Sequence, residues 1–208
     1  MTMATRALRL QQSQMDQSAN VLARAFFDDP MTMYVLPDDA QRRDILPSFM
    51  RAGATICMQH GEVYTTPGDV LGDACWLPPG ETELTEERLP EAGAMEVLGA
   101  MGEEAAGRFG SMMAQLGELH AQAVPAEHWY LLILRVDPPR QGQGIGGSLI
   151  EPVLRRADAA GLPCYLETMK PRNVTFYGKH GFEVVVEDDV AGAGLHFWTM
   201  RRDPRPAR

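Results

Sequence analysis

The sequence predicts a mixed α/β fold, a mostly antiparallel sheet with one parallel strand pair, flanked by helices. Three observations carry this. The apolar run HWYLLILRV at 128–136 is followed by a helical pattern at 144–161 and a second strand, PCYLET, the order of a parallel crossover. Upstream, strands at 62–66 and 70–77 flank Pro67, Gly68 and Asp69, a turn composition that makes antiparallel neighbours. Downstream, FEVVVEDDV and LHFWTMRR flank AGAG, so the chain also ends on an antiparallel pair.

The remaining elements fall between these. RALRLQ reads as a short first strand. SQMDQSANVLARAFFDDP reads as a helix, with Val21, Leu22, Ala25 and Phe26 on one face and Pro30 closing it. A second helix spans DDAQRRDILPSFMRAGATICMQHG, bent or split by Pro47 and ended by Gly61. Residues 81–125 predict one or two loosely specified helices, weakened by their glycines. The helix at 144–161 carries Ile145, Leu149, Ile150, Val153, Leu154 and Ala157 as one apolar stripe, with Pro152 inside it. NVTFYGKHG forms a short helix before Gly181. The sequence predicts one domain over 1–208, with 81–125 as a helical insertion and 201–208 as a flexible basic tail.

Composition narrows the function. The net charge of −9 argues against nucleic acid, whose phosphates demand clustered Lys and Arg. Cys57, Cys75 and Cys164 are odd in number and lack a CxxC pair, which argues against a disulfide framework or a metal site and favours a reducing cytoplasm. The opening MTMATRALRL lacks the apolar core of a secretion signal, and no stretch has the length of a membrane span.

The chemistry concentrates in RQGQGIGGS at 140–148. Gly142, Gly144 and Gly147 match a dinucleotide fingerprint, with Glu167 twenty residues beyond. Five residues separate the strand from the first glycine, however, and too few strands remain for a parallel sheet. No Gly-Lys-Ser/Thr follows, which removes the nucleoside-triphosphate loop. What remains is a helix entry bare of side chains, where successive N–H groups and the helix dipole hold a pyrophosphate. A glycine-rich entry with no ligand is the plainer alternative.

Gln141, Gly144 and Gly146 in DPPRQGQGIGGSLI, and Asn173, Tyr177, Gly181 and Phe182 in LETMKPRNVTFYGKHGFEVV, resemble the GNAT superfamily of N-acetyltransferases. The order of ARAFFDDP, GEVYTTPGDVLGDACWLPPG and LETMKPRNVTFYGKHGF is similar to its puromycin N-acetyltransferase branch. The resemblance implies direct transfer of an acetyl group from acetyl-CoA to the primary amine of a small molecule, by a monomer or homodimer without a metal. It implies a parallel pair that splays, so that Leu134, Arg135 and Val136 hold the pantetheine arm. Arg140, Gln141, Gly142, Gln143, Gly144, Ile145, Gly146 and Gly147 then bind the cofactor, the backbone N–H groups of Gly142 to Gly147 holding the pyrophosphate, and Arg140, Lys170, Arg172 and Lys179 are candidates for the adenosine phosphate.

Tyr177 is the expected acid toward the departing thiolate, since a phenol holds its proton at neutral pH. Asn173 either bonds the pantetheine or caps its helix. Its spacing to Tyr177 is shorter than in many superfamily members. Glu167 is the candidate base, or else it bonds backbone at the splay. His128 is a second candidate base, and Trp129 and Tyr130 are either acceptor-pocket or core aromatics. Met95, Met101, Met112 and Met113 offer an adaptable acceptor wall or a helix core. An NAD-dependent oxidoreductase and a non-catalytic CoA-binding module are the competing readings.

Overall fold

The computed structural model describes residues 6–83, 88–124 and 127–205. Part of the chain start read above, part of the 81–125 segment and the last three residues lie outside this range. A sheet of seven strands runs through the molecule in the order β1-β2-β3-β4-β5-β7-β6. The strands are β1 Leu8–Arg9, β2 Glu62–Thr65, β3 Gly72–Leu77, β4 Trp129–Val136, β5 Cys164–Thr168, β6 Glu183–Val190 and β7 Leu195–Arg202. Only β4 and β5 are parallel; every other neighbouring pair is antiparallel.

Eight α-helices complete the described fold: α1 Met15–Phe26, α2 Pro30–Val35, α3 Asp39–His60, α4 Arg88–Glu91, α5 Ala94–Met101, α6 Glu103–Ala123, α7 Ile145–Ala160 and α8 Pro171–Lys179. On one face of the sheet, α1 and α3 bury Leu22, Phe26, Leu46 and Cys57 against Cys75, Leu77, Tyr130 and Tyr165. On the other, the predicted stripe of α7 buries Leu149, Ile150, Val153 and Leu154 against Trp76, Leu131 and Leu166. A third cluster joins α2, α5 and α6 to the β6–β7 end through Val35, Met101, Met112 and Phe197.

Several expectations are corrected. Pro30 does not close a helix; it opens α2, with Asp29 as the N-cap accepting from Met31 N. The pair Asp-Pro serves here as cap and first helical residue, where proline needs no amide donor. Pro47 does not split α3, which runs unbroken from Asp39 to His60. Pro152 likewise lies within continuous α7, and nothing in the structure explains its choice there. Residues 88–123 hold three helices, not one or two. Burial of Ala105, Met112, Leu116 and Ala123 outweighs the glycines of α6. Met101 and Met112 are core residues, 2% and 1% exposed, so they cannot line an acceptor wall. Met95 is exposed. β4 is fully buried only at Trp129, Tyr130 and Leu131; its second half is half-open.

At the C-terminus, β7 extends through Arg202, which is buried and doubly bonded to Asp158 at 2.7 and 2.8 Å. The basic stretch at 201–205 is therefore held, not frayed. No helix among the described residues is long and apolar enough to cross a membrane.

Candidate active site

The site begins with an irregularity in β4. Across from β3, Ile133 faces Cys75 and Leu131 faces Trp76, which leaves Leu132 as an extra residue. Such a bulge bends its strand and shifts the side-chain alternation. Tyr130 and Leu132, then Ile133, all pack toward α1 and α3, while Trp129, Leu131, Leu134 and Val136 pack toward α7. β4 keeps β5 as neighbour for only two residue pairs, Trp129 with Cys164 and Tyr130 with Tyr165. Beyond Tyr130 the strands separate. Leu134, Arg135 and Val136 remain paired to β3 on one edge, and their other edge has no strand partner among the described residues. An extended arm can bond such an edge as an added strand.

The glycine segment follows. Pro138–Arg140 forms a short 3-10 turn, and Arg140 N and Gln141 N bond back to Asp137 O and Pro138 O. Gln141 Nε2 donates to Val136 O at 3.0 Å and closes the loop; Gln143 Nε2 reaches Pro139 O at 3.5 Å. Gly142 and Gly144 have φ of +76° and +82°. Gly144 caps α7, and Ser148 N is the first amide to return, to Gly144 O at 3.2 Å. The N–H groups from Gly142 to Gly147 make no hydrogen bond among the described residues, as the first turn of a helix requires.

The four glycines divide the work differently from the expectation that all of them clear a path for a ligand. A Cβ at Gly142 or Gly144 meets nothing within 4 Å, so backbone conformation selects glycine there. A Cβ at Gly146 falls 3.3 Å from the Phe176 ring, and one at Gly147 falls 2.9 Å from His180. Those two glycines let α7 lie close on α8. Ile145 is buried in the α7 cluster and contributes its backbone alone.

Glu167 projects from β5 into the opened stretch. Tyr130 Oη donates to its Oε2 at 2.8 Å. Burial raises the Glu167 carboxyl to about 7, against the opposing pull of Tyr130 and Tyr165. A carboxyl at that value exchanges a proton near neutrality. Around it, Tyr130 and Tyr165 are held protonated by burial and by the Glu167 charge. His120 stacks on Tyr165 at 4.2 Å, and its Nε2 lies 2.7 Å from His128 Nε2. Burial, then His128, lowers His120 to about 4.

Tyr177 stands across the opening, in the cluster on the α7 face, 6% exposed. Its hydroxyl makes no hydrogen bond among the described residues. Burial raises it to about 12; the Arg135 charge lowers it and the Asp29 charge raises it. Asn173 is the third residue of α8, whose N-cap is Lys170. It therefore does not cap the helix, and its Nδ2 donates to Thr168 Oγ1 at 2.8 Å. Lys170 is drawn 3.1 Å from Asp29, whereas Arg140, Arg172 and Lys179 are exposed. Trp129 and Tyr130 are buried, the first under Arg156 and the second on Glu167.

The structure thus places Glu167 on Tyr130, toward α1 and α3, and Tyr177 in the cluster toward α7, with the glycine segment following β4 in the chain. It adds Tyr165, His120 and Asp29, and puts the expected aromatic Tyr130 on Glu167. Only Asp29 had a local signal, its place before Pro30; the others meet through tertiary packing.

A family model described as an acetyltransferase (GNAT) domain matches residues 81–204. An uncharacterized N-acetyltransferase of Schizosaccharomyces pombe is 27% identical over 182 residues, covering 85% of this chain and 73% of its own. A Corynebacterium glutamicum structure described as histone acetyltransferase HPA2 and related acetyltransferase superposes with a TM-score of 0.68 at 20% identity, covering 99% of each chain. Arylalkylamine N-acetyltransferase 2 of Aedes aegypti superposes with a TM-score of 0.62 at 15% identity, over 96% of this chain and 99% of that one. These two structures share the fold, including the mixed sheet that the dinucleotide reading does not provide. With that sheet, its separated parallel pair and the matched family model, the chain belongs to the GNAT acetyltransferase family.

Proposed function

We propose that the protein moves an acetyl group from acetyl-CoA to the primary amine of a small molecule. One observation carries this reading: β4 and β5 part after Tyr130, leaving Leu134, Arg135 and Val136 without a β5 partner, and Glu167, its carboxyl raised to about 7, is bonded to Tyr130 at that point. The edge at Leu134, Arg135 and Val136 fits a pantetheine arm, and the free amides from Gly142 to Gly147 fit a pyrophosphate. Arg140, Arg172 and Lys179 are exposed and suit the adenosine phosphate. Lys170 suits it less, because Asp29 already holds it.

Glu167 takes the proton of the alkylammonium, directly or through water, and the freed amine attacks the thioester carbonyl. The new C–N bond forms, the C–S bond breaks, Tyr177 gives its proton to the departing sulfur, and the surplus proton on the new amide nitrogen passes through solvent to restore the Tyr177 phenol. Tyr130 orients the Glu167 carboxylate.

Thiol release from acetyl-CoA tests the reading over arylalkylamines, polyamines, puromycin and peptide N-termini. Puromycin belongs in the panel because of the segment order noted above. Melting in parallel with acetyl-CoA, CoA and NAD separates donors; a ligand at 100 times its Kd stabilises by about 2.7 kcal/mol. Thiol release with one amine class, lost in Tyr177→Phe, is the expected result. Stabilisation by NAD alone overturns the reading. A cytoplasmic setting, where three buried thiols stay reduced, belongs to the same proposal.

A further inference from the structure

The strands that part after Tyr130 are joined again at their far end by a side chain from neither. Asp29 lies in the turn between α1 and α2, its side chain 5% exposed. One carboxylate oxygen accepts from Met31 N at 3.2 Å. The other takes Arg135 from β4 and, at 3.1 Å, Lys170 Nζ from just beyond β5. Arg135 is also seated over the Phe26 ring at 4.1 Å. The two cations are 14% and 15% exposed, so solvent screens the cluster little.

Two cations and one carboxylate leave a net positive charge at the open end. Arg135 and Asp29 are the charged groups that act on the Tyr177 hydroxyl. The other close neighbours of Tyr177 are the rings of Phe176 and Phe182.

We propose that Asp29 is a positioning residue: it ties the ends of the diverging strands through Arg135 and Lys170 and so fixes where the Arg135 charge stands at the open end. This rests on the acetyltransferase reading above. The tie fixes the width of the opening in which the thioester must lie between Glu167 and Tyr177. A positive charge there favours both the phenolate that Tyr177 becomes and the thiolate it protonates.

The test uses charge removal in two forms. Asp29→Asn strands two cations near the sheet and is expected to lower the melting temperature as well as kcat. The triple variant Asp29→Asn, Arg135→Met, Lys170→Met removes all three charges together. Replacing a buried ion cluster by apolar groups of similar size is often neutral for stability. The triple variant should therefore melt close to wild type. Its kcat should fall on the order of 10–100-fold, the scale of a small misplacement at a reacting centre. The pH dependence near 7 set by Glu167 should stay where it is. A triple variant that melts like wild type and keeps wild-type kcat overturns the positioning role and leaves the functional reading intact. A wild-type protein that transfers no acetyl group to any amine overturns both.

Discussion

The two faces of the β4–β5 pair are built from different materials. Toward α7 and α8 the interior is apolar, aliphatic and aromatic, and its polar groups are main-chain amides, an open strand edge and the Tyr177 phenol. Toward α1, α3 and α6 the interior holds Asp73, Cys57, Cys75, Tyr130 and Tyr165, with the half-buried Glu167 on Tyr130 and His120 and His128 beside them. A phosphate carrier needs donors in a fixed array, which backbone supplies from one stretch of chain. A base that works near neutrality needs a carboxyl starved of water, which only a packed interior supplies. On the proposed reading, donor recognition is thus local, and proton transfer is a property of the assembled core.

Glu167→Gln should break the second face most severely. It removes the base and keeps the shape, so kcat should fall by about 10²–10⁴-fold. In wild type, the carboxyl raised to about 7 must lose its proton to act, so activity should rise with pH through about 7 and then level. In the variant that rise should vanish from the pH–rate profile. The same group carries a stability cost of definite sign. A folded-state carboxyl raised from 4.5 to about 7 binds more protons than the unfolded chain in that window, so stability falls as pH climbs through it. Glu167→Gln should therefore melt higher than wild type at pH 8 while turning over far more slowly. An inactive variant with a lower melting temperature would mean that Glu167 is structural.

Asp73 isolates the stability half of that argument. It is fully buried, raised from 3.8 to about 6 by burial, and held by Ser18 Oγ at 2.7 Å. Its other oxygen has no partner among the described residues. The penalty grows as pH rises from 3.8 to about 6 and amounts to roughly 2–3 kcal/mol above that window. Asp73→Asn keeps an acceptor for Ser18 and should gain about 1–3 kcal/mol at pH 8 by denaturant melts. At pH 4, where folded wild type is already protonated, the gain should nearly disappear. An equal gain at both pH values would trace the effect to packing instead of charge.

What the sequence makes legible follows the same division. The α7 stripe, the crossover, and the pairing of the glycine segment with Tyr177 are readable because each sits within one stretch of periodic or glycine-marked chain. Glu167 is readable as a carboxylate at a strand end, but its raised pKa is not, because burial comes from elements distant in sequence. The His120–His128 contact joins α6 to the entry of β4, with no spacing to mark it. The roles of Gly146 and Gly147 are hidden for the same reason: the groups they make room for, Phe176 in α8 and His180 just past its end, lie about thirty residues on in the chain. α6 was underestimated because its glycines speak of propensity, while its cohesion comes from the third cluster.

Gly144→Ala probes the first face. The added methyl meets nothing within 4 Å, so the substitution acts through φ of +82° alone. A non-glycine residue held in the left-handed region costs about 1–2 kcal/mol. Relaxation of the cap should turn the free amides at the start of α7 away from a common point. The expected signature is a lower melting temperature with a higher KM for acetyl-CoA, and little change in KM for the amine. A change confined to the amine would place the glycine segment on the acceptor side and reverse the assignment of the faces.

Gly107 in α6 is the opposite case of the same residue type. It is exposed, lies within a helix of 21 residues, and a Cβ there meets nothing within 4 Å. No positive φ demands glycine at this position. An alanine narrows the unfolded ensemble and suits the helix, so Gly107→Ala should stabilise by about 0.5–1 kcal/mol. For a chain of this size that is a rise of roughly 1–4 °C in melting temperature, with kcat and both KM values unchanged. The contrast with Gly144 locates the constraint. A methyl group that costs stability and donor binding at the start of α7 should be a gain in α6, because, of the two, only Gly144 has a positive φ and belongs to the proposed donor surface. A loss of stability at Gly107 would mean that α6 has a packing partner on its exposed face, and the helix would then belong to a larger surface than the sheet it covers.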